Sequence, residues 1–128
     1  MADESNKTGP AGGSDRPEPA ARVLDELAEL EPELRGAAII EAGGTALAVR
    51  SEDPGWAGDA VALLGAVDAA GDREVDSAHI ATDKAEVFVV REGGLALVAV
   101  TGRFVLASLT GFDMRMSLRD LAAEAADA

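Results

Sequence analysis

EVFVVREGGLALVAV, residues 86–100, decides the fold of this chain. Two nearly continuous apolar runs, Val87–Val90 and Leu95–Val100, stand on either side of Gly93-Gly94. Short unbroken apolar runs bounded by turn residues mark strands buried on both faces. Two adjacent glycines supply the positive φ angles of a tight hairpin. The same device occurs upstream, where Gly36 to Ile40 and Thr45 to Arg50 flank Gly43-Gly44. A phosphate-cradling loop would need G-x-G-x-x-G or G-x-x-x-x-G-K-[ST] opening a helix, and the sequence has neither pattern. Both glycine pairs are therefore read as turns. A sheet buried on both faces must carry helices on both sides.

The flanking segments change period. Pro19 to about Glu31 reads as a helix, with Val23, Leu24, Leu27 and Leu30 in one stripe and Asp25, Glu26 and Glu29 opposite. Pro32 ends it. Trp56 to Ala70 is a second helix-period stretch, and Val105 to Ala125 a third. Between them, Val75 to Thr82 is strand-like but interrupted by Asp76, Ser77, His79 and Thr82, as expected of an edge strand. The order α-ββ-α-βββ-α fits one antiparallel sheet covered by helices, an α+β layout.

Helix 2 carries the sharpest pattern. At about 100° per residue, Trp56, Ala60, Leu63, Leu64 and Val67 form a broad face for the sheet. The far side holds Gly58, Ala62, Gly65, Ala66 and Ala69, with Val61 at its margin. It has no charge, whereas a lone surface helix would place Lys and Glu there. Small residues let a second backbone approach, so this face is expected to meet another subunit. Helix 3 has two opposed apolar stripes. One holds Val105, Leu109, Phe112, Met116 and Ala123; the other holds Ala107, Met114, Leu118, Leu121 and Ala125. One stripe faces the sheet. Met114, Leu118 and Leu121 are carried forward as a partner surface.

Composition narrows the function. The 128 residues suit one domain, residues 17–128, preceded by an acidic, disordered tail over residues 1–16, which has hardly any large apolar side chain. With 48% apolar but only 3% aromatic residues, the core must be built from Ala, Val, Leu and Ile. A net charge of −13 disfavours nucleic acid and anionic membranes as partners. The absence of cysteine removes disulfides, thiolate nucleophiles and cysteine-ligated metals. No signal-peptide or membrane-spanning pattern occurs, so a cytoplasmic location is expected.

Catalytic candidates are thin. His79 is the only histidine, and nothing like G-x-S-x-G accompanies it. Asp72, Glu74 and Asp76 alternate in a loop-to-strand segment but lack the glycine turn and further ligands of a calcium loop. Arg115 and Arg119 are expected to pair with Asp113 and Asp120 rather than act on a phosphate. No catalytic residue, metal or cofactor is assigned.

Several stretches resemble the Roadblock-type (dynein light chain) domain, in particular stand-alone actinobacterial members. They are Leu24-Asp25-Glu26-Leu27, Arg35-Gly36-Ala37, Gly43-Gly44 before Leu47-Ala48-Val49, His79-Ile80-Ala81-Thr82, Glu86-Val87-Phe88, Gly93-Gly94-Leu95-Ala96 and Phe112-Asp113-Met114-Arg115-Met116. The resemblance covers about residues 20–126. It implies a five-stranded antiparallel sheet with helix 2 on one face and helices 1 and 3 on the other. It also implies homodimers in which helix 2 and the following edge strand, here with Ser77 and His79, pair across a two-fold. The implied role is a non-enzymatic scaffold or regulator of a small Ras-like GTPase. The rival reading is a ligand-sensing domain of the PAS or profilin type.

Overall fold

The computed structural model describes residues 17–127. The expected tail, residues 1–16, lies outside the described residues, as does the side chain of Ala125. The elements are α1 (Pro17–Leu30), β1 (Leu34–Glu41), β2 (Ala46–Ser51), α2 (Trp56–Gly71), β3 (Ser77–Ala81), β4 (Glu86–Glu92), β5 (Leu95–Thr101) and α3 (Ala107–Asp127). All strand pairs are antiparallel, in the order β2-β1-β5-β4-β3. The 86–100 stretch is a hairpin with Glu92 opposite Leu95. Gly93 and Gly94 have φ of 56° and 81°, the left-handed pair that a two-residue turn between twisted strands requires. Gly93 has a second constraint: a Cβ there would lie 2.6 Å from the Ala122 Cβ, so the C-terminal part of α3 sits directly on the turn.

Because β1, β4 and β5 are apolar on both faces, they divide the core into two layers. Ala38, Ile40, Val89, Ala96 and Val98 pack against Trp56, Ala60, Leu64 and Val67 of α2. Ala37, Ile39, Phe88, Val90, Leu97 and Ala99 pack against Ala20, Leu24 and Leu27 of α1 and Met114, Leu118 and Leu121 of α3. This is the arrangement that the resemblance implied. Trp56 starts α2 as a core anchor, its ring lying over Gly36, where an added Cβ would be 3.4 Å from Cε2.

Two expectations are corrected here. Leu30 is 57% exposed, and Ala20 takes its place in the α1 stripe. The chain turns at the end of α1, and the next side chain, Glu31, tucks inward to accept a hydrogen bond from the Thr110 hydroxyl at 2.8 Å. More important, Met114, Leu118 and Leu121 are 0%, 0% and 4% exposed, so they form the core side of α3 and not a partner surface. The polar seams set the rotation of the helix. Arg115 bonds Glu92 on β4, and Thr110 bonds Glu31 on the other flank. Held down at both flanks, the stripe between them is buried and the Leu109–Phe112–Met116 stripe faces out.

Candidate interaction surface

The outer face of α2 is as the wheel places it. Gly58, Val61, Ala62, Gly65, Ala66 and Ala69 are all exposed. A Cβ built on Gly58 or Gly65 meets nothing within 4 Å. Glycine in a helix interior costs up to about 1 kcal/mol relative to alanine, and no contact among the described residues accounts for it here. Asp59 borders this face in solvent, while Asp68 on the other border turns to the sheet.

β3 follows α2 in the chain but lies at the far edge of the sheet from the strands α2 covers, β1, β2 and β5; among the described residues it pairs only with β4 and so presents an open backbone edge. The strand alternates. Ala78 and Ile80 share the α2 side of the sheet, and Ile80 is 40% exposed. Ser77 and His79 point to the opposite face, since His79 pairs with Phe88 of the α1/α3 layer and stacks on it with ring centroids 4.6 Å apart. The structure thus separates the side chains of Ser77 and His79 from the α2 face with which they were grouped. What β3 adds on the α2 side of the sheet is Ala78, Ile80 and its backbone edge.

His79 has a local role. Its Nε2 lies 2.7 Å from Glu86 Oε1, and Glu86 Oε2 accepts the Phe104 N–H at 2.8 Å. These bonds, the His79 contact foremost, hold the Glu86 carboxyl below its ordinary pKa. Glu86 therefore ties the edge strand to the loop before α3.

At the end of β4, neighbouring residues clamp both helical layers. Arg91 reaches Asp68 of α2 through two bonds of 2.7 Å and the Val75 carbonyl at 2.8 Å. Asp68 also accepts the Val75 N–H at 2.9 Å, and the Arg91 guanidinium leads in lowering its pKa. Glu92, one residue on, faces the other side and binds Arg115 and Arg119 of α3, which lower its pKa in that order. The expected pairing of these arginines with Asp113 and Asp120 is thus replaced by Glu92, which the sequence placed on a different element. On the far flank of α3, burial first and then the nearby Asp113 carboxyl raise the pKa of Glu31.

An open cleft of about 710 Å³ lies between the two glycine turns and the C-terminal half of α2, with Asp68, Glu74, Asp76, Arg91 and Arg115 on its walls. Both arginines are already spent on Asp68 and Glu92. Among the described residues, no group of three or more His, Asp or Glu side chains is placed to hold a metal ion. No described helix is long and apolar enough to cross a membrane.

A five-stranded sheet in this order, with one helix on one face and two on the other, matches solved structures. Its fold is that of the Roadblock/LC7 domain. The Roadblock/LC7 domain from Streptomyces avermitilis superposes with a TM-score of 0.67 at 21% identity, covering 81% of this chain and 95% of that one. The gliding protein MglB of Thermus thermophilus has a TM-score of 0.64 at 20% identity, covering 99% and 100%. Profilin of Schizosaccharomyces pombe is similar at 0.58 and 15% identity, covering 81% and 97%. No family model and no curated protein sequence matches the chain. The Roadblock fold is thus shared with profilin, and function has to be argued from the surface.

Proposed function

We propose that this chain is a non-enzymatic homodimeric regulator or scaffold of a small Ras-like GTPase. One observation carries the dimer: the outer face of α2 is uncharged over about three turns and holds two glycines that no contact among the described residues accounts for, and the same sheet has an open edge at β3. Packed against its two-fold mate, that face gains close backbone approach, and β3 gains a ladder partner for its free edge. The GTPase follows from the Roadblock resemblance, which implies a surface composed across two subunits. The arginines of α3 are committed to Glu92, so none is free to act on a phosphate.

Ala66→Arg tests the reading. The substitution places two like charges in the two-fold contact, each costing several kcal/mol, on the order of 3–5, if desolvated and unpaired. The sheet-facing stripe Trp56, Leu64 and Val67 is untouched. Wild type is expected to sediment as a dimer and Ala66→Arg as a folded monomer. A purified Ras-like GTPase in its GTP-bound form should bind the first and not the second. A monomeric wild type at tens of micromolar, or equal binding by both chains, refutes the proposal.

A further inference from the structure

Glu86 is a carboxylate placed where it needs a counter-charge. It opens β4, and its side chain is only 8% exposed. Both oxygens are used. Oε1 lies 2.7 Å from His79 Nε2, and Oε2 accepts the Phe104 N–H at 2.8 Å. The Val105 N–H bonds the same carboxylate. Among the described residues no arginine or lysine comes within ion-pair distance of it, so His79 is its one counter-charge. A carboxylate buried among neutral donors alone is costly, and a positive partner offsets that cost. The imidazole supplies a positive partner only when protonated.

The histidine is built to gain and lose that proton in place. Its ring is stacked on Phe88, 4.6 Å between centroids. The carboxylate can only accept, so Nε2 carries a proton throughout. The His79 side chain is 40% exposed, and among the described residues Nδ1 makes no bond. Water therefore reaches Nδ1 without disturbing the Nε2 contact. Other charges are engaged elsewhere. β3 has no further titratable side chain, and Asp76 and Asp83 lie in the segments before and after it. From α3, Arg115 is taken by Glu92 and by the Arg91 and Asp76 carbonyls, and Asp113 stands beside Glu31. Arg103, in the loop before α3, lies over the Phe104 ring, and Lys84, in the β3–β4 turn, makes no bond to the imidazole.

The turn that Glu86 holds is cheap to release. Phe104 has φ of 67°, a sparsely populated conformation for a residue other than glycine. Phe104 is 85% exposed and Leu106 66% exposed. Opening the turn relieves backbone strain, uncovers little apolar surface and lets water reach the Glu86 carboxylate. Charged His79 removes the last of these incentives, because it makes the buried carboxylate less costly. Linkage then sets the direction: the proton favours the closed turn, and its loss favours the open one.

We propose that His79 and Glu86 form a proton-dependent latch on the turn that carries Phe104. Charged His79 holds the turn closed against the edge of the sheet, and loss of that proton loosens it. The latch works while Glu86 is ionised and weakens as the pH rises through the titration of the imidazole.

His79 is the only histidine, so the imidazole resonance in an NMR titration is its own. In the full-length protein, amide exchange of Phe104 and Val105, corrected for the intrinsic rate, is expected to quicken about threefold or more between ~pH 5.5 and ~pH 8.5, following the imidazole resonance. Val89 and Val98, fully buried in the central strands, should show no such change. His79→Gln keeps a neutral donor and removes the titration. Its two turn amides should match those of the wild type at ~pH 8.5 and stay level across the range. Glu86→Gln should also abolish the change. Protection of the turn amides that is independent of pH in the wild type overturns the latch, with no variant needed. A change that survives in His79→Gln assigns the titration to another group and overturns it as well. An equal change at Val89 and Val98 reports global unfolding and has the same consequence.

Discussion

Replacing Gly58 and Gly65 together with alanine should move monomer stability and dimer strength in opposite directions. Both residues lie within α2, both are exposed, and neither added methyl group meets an atom within 4 Å. With no clash, the change acts through the unfolded chain, which loses freedom when glycine is removed. Gly65 in mid-helix is worth about 1 kcal/mol and Gly58 in the first turn less, so the pair should stabilise the monomer by about 1.5 kcal/mol. For a domain of this size that is a rise in Tm of roughly 6 °C. A two-fold contact meets every added methyl twice. Overpacking a close interface costs about 1–3 kcal/mol, so the dimer should weaken by about 2 kcal/mol or roughly 30-fold in Kd. Urea unfolding in the Ala66→Arg background isolates the monomer term, and sedimentation equilibrium of the double alanine variant gives the dimer term. A gain in monomer stability with an unchanged Kd refutes close packing at α2. A loss of monomer stability refutes the open environment of the two glycines.

Asp68→Ala should cost about 2 kcal/mol in urea unfolding, because it strands the Arg91 guanidinium and the Val75 N–H together; a loss under 0.5 kcal/mol would show that the clamp does not hold α2. Glu86 and Glu92 have folded pKa values below their unfolded ones, so the folded state binds fewer protons and their contribution is lost as the pH falls through those lowered values. Glu86→Gln should therefore flatten the acid limb of a stability–pH curve, and an unchanged limb contradicts the role of Glu86. Glu31 has the opposite sign: its raised pKa favours folding below the unfolded value and is lost as the pH rises, so Glu31→Gln should stabilise the protein by about 1 kcal/mol at pH 7 and not at pH 4. Replacing Arg115 and Arg119 with alanine should leave any stimulation of a GTPase within a few-fold while loosening α3; a loss near the ~10³ of an arginine finger would overturn the non-catalytic reading.

Local chemistry determined much of this molecule. Apolar runs bounded by Gly43-Gly44 and Gly93-Gly94 specify strands buried on both faces, because such runs and such turns have few other uses. The polar interruptions at Ser77 and His79 mark β3 as an edge. The 3.6-residue period of α2 separates Trp56, Ala60, Leu64 and Val67 from the small-residue face, since a helix with one apolar stripe can seat on a sheet in only one way. α3 was different. It carries two apolar stripes about 180° apart, and periodicity is the same for either choice. Only the tertiary structure, by placing Glu92 of β4 beside Arg115 and Glu31 beside Thr110, decided that Met114, Leu118 and Leu121 go inward and Leu109, Phe112 and Met116 outward. The ion pairs were hidden for the same reason: Arg91 and Asp68 are 23 residues apart in the chain and meet only because β4 and α2 end at the same side of the sheet. Patterns repeated along one element are written locally, whereas rotation of a helix and pairing of distant charges are set by what the rest of the fold brings alongside.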